Sequence, residues 1–238
     1  MFPPSPANAS ISRPGCEQDL SIVPERGAWL AVVPLLATVL YYVLPDALRE
    51  NFWLILSPQL AAYGMLAIWL GQNRKPWTRL RLEPSRLHTA LPWGGLTGLA
   101  LGVINLTVLL WVIPGLGGNL SFLRETPHAQ APAWLMFPFG IGVIAILVEL
   151  NFRGFQMGRL LALFGSSRTA QVCAVTVSAL AFAWDPFMVH VFRSLHWMAL
   201  TDGLVWGVLL LRTRSLYATM AAHAVEVWIL YAGLKLWF

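Results

Sequence analysis

Charge is what this 238-residue chain has least of. Only 11% of its residues are Asp, Glu, Lys or Arg, where soluble domains carry about 25%. With 57% hydrophobic residues and a mean hydropathy of +0.63, this excludes a soluble enzyme on a single anchor and defines an integral membrane protein. Cysteine is nearly absent. Cys16 and Cys173 have no CxxC partner, which excludes a disulfide framework and a thiolate metal site. There is no HExxH and no GxSxG, so neither a zinc-protease helix nor a serine nucleophile elbow is present. No metal is assigned, and no cofactor is firmly implied. Internal repeats and low-complexity tracts are lacking too. The first 27 residues, rich in Pro and Ser, lack a basic stretch followed by an apolar one, so they read as an irregular tail and not as a cleavable signal. The net charge is +5, but the basic residues fall in loops between apolar runs. That argues against nucleic acid and for membrane lipids as partners.

What is present is a series of apolar runs. The expected fold is all-α, a polytopic transmembrane helix bundle of about seven spans over residues 28–238. The spans fall near 28–44, 52–70, 90–112, 133–150, 169–184, 197–211 and 217–237, close to the ~20 residues that cross a bilayer. The fourth helix should run on past Arg153 towards Leu163. Pro45-Asp46 ends the first run, and Asp185-Pro186 ends the fifth. Segment 72–88 holds Arg74, Lys75, Arg79, Arg81 and Arg86. It reads as a topology-setting loop, with contact to anionic headgroups as the alternative. Gly94, Gly98 and Gly102 form overlapping GxxxG patterns, which predict a close helix contact. Segment 187–196 reads as a short amphipathic connection. With the N-terminus inside, 12 basic residues fall on inner segments and 4 on outer ones. The positive-inside rule therefore orients the chain N-in and C-out, in what reads as the bacterial cytoplasmic membrane. Many of the 12 Trp sit near span ends, as interfacial belts do.

Ionisable groups inside such runs cost roughly 2.5 kcal/mol or more each, so they face a bundle interior and find partners. Glu149 and Arg153 are four apart and share a helix face; His223 and Glu226 are three apart and do the same. If the two faces meet, a buried polar cluster forms. Asn151, Asp185 and Asp202 lie at similar depth, and His190 and His196 lie in the 187–196 connection. The bland reading of Glu149–Arg153 is an ion pair that fixes helix packing. The other reading is half of a site.

Several blocks together resemble the CPBP family, the CAAX-protease and bacteriocin-processing membrane proteins. They are Glu149-x-x-x-Arg153-Gly154, Phe182, Gly203-Leu-Val-Trp-Gly207 and Ala222-His223-Ala224. The resemblance covers about residues 135–230. It implies an intramembrane-protease-like core and the pattern Glu-Glu-x-x-x-Arg, Phe-x-x-x-His, His-x-x-x-Asn. In the family the first Glu activates water, and the His and Asn residues hold that water or the oxyanion. Here Glu149, Arg153, Phe182 and His223 match, but Val148, Pro186 and Val227 stand at the first-Glu, second-motif His and Asn positions.

Valine accepts no proton from water, and proline offers no side-chain donor. Loss of one oxyanion donor alone costs about 10²–10³ in rate. The expectation is thus a family member without peptidase activity, a binding or scaffold subunit for a membrane protein partner or a lipid-like ligand. The rival is an active endopeptidase using Glu149 as base with His223, and His190 or Glu226 as surrogates. A proton or small-ligand pathway through the same cluster is a third reading.

Overall fold

The computed structural model describes residues 25–237. The tail expected over 1–27, with Cys16 and Arg13, lies outside the described residues except for its last three positions. Seven principal helices occupy the seven expected places: α1 Ala28–Tyr42, α2 Phe52–Gln72, α3 Leu87–Thr107, α4 Ile141–Phe164, α5 Arg168–Ala183, α6 His196–Thr213 and α7 Leu216–Trp237. Among the described residues there is no strand. Among the described residues, four helical stretches are long and apolar enough to cross a membrane: Phe52–Gln72, Pro76–Gly115, Ile141–Phe164 and Pro186–Thr213. α1 and α5 are apolar but shorter. In α7, 22 residues long, His223 and Glu226 dilute the hydropathy.

Local chemistry sets the ends. Asn51 caps α2, its Oδ1 accepting from the amides of Trp53 and Leu54. The Ser167 side chain caps α5 by accepting from the Ala170 amide. Asp185 accepts from the Phe187 amide and starts a short helix, Pro186–Phe192, with proline in the first turn where no amide is needed. The expected connection 187–196 is therefore mostly helical, and it turns into α6 through Arg193, whose φ is 49°.

The closest helix pair is α3 on α7. Gly94, Gly98 and Gly102 form a stripe at four-residue spacing against Ala218, Ala222 and Ile229. A Cβ on Gly94 or Gly98 would collide with a backbone carbonyl oxygen of α7, and one on Gly102 would sit 2.8 Å from Ile229. Glycine is required here for approach and not for φ. Gly95, on the other face, has open space. A second small-residue face joins α6 to α5, where Gly203 and Gly207 meet Ala179 and Val175. Phe152, Phe182 and Trp206 fill the junction of α4, α5 and α6, with Ala218 and Ala222 of α7 behind them. Large apolar side chains such as Trp93, Leu96 and Trp111 are exposed, as lipid-facing residues are.

Segment 72–88 folds into Pro76–Arg79 and Pro84–Arg86 turns. Arg81 turns inward, its Nη1 donating to the Leu210 carbonyl while its own carbonyl accepts from Leu216 N. It ties the α6–α7 turn instead of facing headgroups. The end of the tail, 25–27, is irregular as expected and is docked: Glu25 pairs with Arg159 and Arg79 and accepts from Trp69 Nε1.

Candidate functional site

α4 changes pitch where its polar residues begin. Residues Leu150–Met157 form a π-helix, directly after Glu149. Such segments occur frequently at functional sites; two others, Val108–Val112 and Met136–Gly140, lie in apolar stretches. The wider turn brings residues five apart together, and Gln156 Nε2 donates to Asn151 Oδ1 at 2.9 Å. Ser178 of α5 donates to the Phe152 carbonyl, satisfying one of the loosened backbone acceptors. Seven of the eight π residues are buried.

The two polar faces meet. Glu149 and Arg153, each 0% exposed, pair at 3.3 Å through Oε1 and Nη1. The same Oε1 lies 3.1 Å from His223 Nδ1 on α7. Glu149 thus holds one helix to another. This contact assigns the His223 proton to Nδ1 and leaves Nε2 as the second ring nitrogen. The Arg153 guanidinium lies 4.6 Å from the Phe182 ring centroid and 4.8 Å from that of Trp206. Trp206 stacks on His223 at 4.3 Å, with 19° between the planes. Gly203 clears room for the guanidinium, since a Cβ there would lie 3.0 Å from Nη2.

A second polar group sits beside the first. Asn105 of α3 donates from Nδ2 to Asp202 Oδ1 of α6 at 2.9 Å and to Glu226 Oε1 of α7 at 2.7 Å. One amide, with two hydrogens, bridges two carboxyl groups from different helices. All three residues are buried. They line a cavity of about 870 Å³, along with His223, Trp206 and Phe182. Its other walls are mostly apolar, from α2, α4 and the α6–α7 pair, with Gln59 and Tyr63 as polar points on α2 and Arg124, Thr126, Gln130 and Lys235 as polar points elsewhere.

The predicted residues divide sharply around this cavity. His223 and Glu226 line it; Glu149 and Arg153 stand behind its wall. His190 is exposed on the Pro186–Phe192 helix and does not line it. Val148 and Val227, at two of the three positions where the family pattern carries chemistry, face the cavity with apolar side chains. Pro186 is buried at the head of the short helix. Sequence reasoning noted Asp202 but left it out of the site, and it missed Asn105 and Trp206. Asn105 continues the stripe Gly94, Gly98, Gly102, and that periodicity is a signal that could have found it. Among the described residues, no three His, Cys, Asp or Glu side chains are grouped to hold a metal ion.

This fold and site define the class: a membrane helix bundle with a polar cluster buried beside an apolar chamber. Residues 130–229 match the family model described as type II CAAX prenyl endopeptidase Rce1-like, in agreement with the CPBP resemblance. The matched segment covers α4 to most of α7. No curated protein and no solved structure matches the chain.

Proposed function

We propose that the protein is a binding protein and not a peptidase, and that its chamber holds a lipid-like ligand. The observation that carries this reading is the chamber wall itself. Where the family pattern puts a water-activating Glu and an amide donor, Val148 and Val227 face the cavity. Glu149, the retained carboxylate, is engaged by Arg153 and His223 behind that wall. A base must come within about 3 Å of the proton it takes, and Glu149 does not line the space where a substrate would lie. An apolar chamber of this size with a few convergent polar groups has the ordinary make-up of a small-ligand site. The reading extends to the bacterial cytoplasmic membrane and an N-in orientation, supported by the loop distribution of Lys and Arg. A membrane protein that docks on the loaded form is the partner it calls for.

The test is purification from the native membrane in mild detergent, then mass spectrometry of what stays bound. A stoichiometric lipid-like molecule is expected, and it should be lost when Val227→Trp fills the chamber. Incubation with a prenylated peptide is expected to give no cleavage. Cleavage that vanishes in Glu149→Ala while the fold persists would overturn the proposal.

A further inference from the structure

The polar end of the chamber is acidic; of the cations that line the cavity, Lys235 stands nine residues beyond Glu226 on α7 and Arg124 comes from the Ser121–Glu125 turn. Asp202 and Glu226 share a neutral partner, the Asn105 amide. The nearest guanidinium, Arg153, is engaged by Glu149 and does not line the cavity. Glu226, 2% exposed, leaves Oε2 without a hydrogen-bond partner among the described residues. An independent observation lies one turn further along α7. Tyr231 is 9% exposed and lines the same cavity, and its hydroxyl has no partner either. Two buried polar groups on the wall of one chamber are each short of a bond, and such groups cost about 1–3 kcal/mol unless something satisfies them.

The lining of α7 shows the shape of what would do so. His223, Glu226, Val227, Leu230, Tyr231 and Leu234 recur at three- and four-residue steps, one continuous helix face. It runs from a polar end at His223 and Glu226 past an apolar wall at Leu230 and Leu234, about 16 Å at 1.5 Å per residue, and ends at Lys235. A polar head and an apolar body in one molecule match that gradient. The head must donate hydrogen bonds, because the carboxyl pair presents acceptors. It should carry positive charge, because the two carboxyl groups, hydrogen-bonded to each other and sharing one proton, still hold a negative charge in a low-dielectric chamber. A divalent metal fits poorly, since no third ligating side chain joins the pair.

We propose that the Asn105–Asp202–Glu226 end of the chamber binds the ammonium head of a long-chain amine, with its hydrocarbon body along the apolar face of α7. The inference rests on the binding reading above and names its ligand class. Charge-assisted hydrogen bonds are worth about twice neutral ones, so an amine should bind about tenfold to a hundredfold more tightly than the alcohol of equal chain length.

The experiment uses the purified full chain in lipid nanodiscs and measures equilibrium binding of hexadecylamine, hexadecanol and hexadecanoate. The amine is expected to lead by that factor and the carboxylate to bind worst. Asp202→Asn and Glu226→Gln, which keep shape and hydrogen bonding, should each reduce the amine-to-alcohol ratio towards one, and unfolding temperatures report whether the variants remain folded. Equal affinities for amine and alcohol, or an unchanged ratio in folded variants, overturn the head-group assignment and leave the binding reading standing. Binding of none of the three overturns both.

Discussion

Glu149→Ala separates a structural from a catalytic carboxylate. In the parent, Arg153 is fully buried, and Glu149 is the carboxylate paired with it at 3.3 Å. Removing one partner of such a pair costs about 3–5 kcal/mol, because a charge is left in low dielectric. The Phe182 and Trp206 rings remain against the guanidinium, which places the loss nearer the lower figure. His223 Nδ1 also loses its acceptor, which adds to it. At about 2–4 °C per kcal/mol for a chain of this size, the unfolding temperature in detergent should fall by about 6–20 °C. The double variant Glu149→Ala/Arg153→Met should recover most of that, since a buried pair replaced by apolar side chains is often neutral. Intrinsic-fluorescence melting of the three proteins is sufficient. An Glu149→Ala melt within about 2 °C of the parent would refute the argument. So would a double variant no more stable than the single, because then the stranded charge is not the cause.

Other consequences are simpler. Gly98→Leu should prevent stable folding, since its side chain would enter the α7 backbone at Ala222, whereas Gly95→Leu, facing open space, should leave expression and melting unchanged. Asn51→Ala should lower stability by about 1 kcal/mol through the lost cap on α2, measured by the same melt. Trp206→Leu should cost about 2–4 kcal/mol and loosen both His223 and Arg153, visible as faster proteolysis near α6.

Much of this was legible in the chain because bilayer physics is severe. Apolar runs of span length, ended by Pro45-Asp46 and Asp185-Pro186, gave helices where helices occur. The pairs Glu149/Arg153 and His223/Glu226 announced faces that do meet, because an intramembrane charge needs a partner. Periodicity could not reveal the π turn at Leu150–Met157, since four-residue spacing had already explained Glu149 and Arg153. It also gave no depth to the cavity wall: that Glu226 faces the chamber and Glu149 does not depends on the rotation of two helices. Arg81 looked like an ordinary loop cation until its position under the α6–α7 turn was seen. Asn105 is neutral and small, so an inventory of charges passed over it.

The glycine stripe of α3 also fixes how the chamber can move. Backbone against backbone at Gly94 and Gly98 leaves α3 and α7 no side-chain layer in which to slide, so the two helices behave as a single stiff slab. That slab carries Asn105, His223 and Glu226, and the acidic end of the chamber keeps its geometry whether or not a guest is inside. If the chamber takes the guest proposed above, admission falls to the other walls, among them α2, a continuous helix that carries Leu56, Gln59 and Tyr63 and holds Pro58 within it. On the binding reading the bundle works like a vice with one fixed jaw: recognition would belong to the jaw that holds still, and the rate of entry to the one that gives.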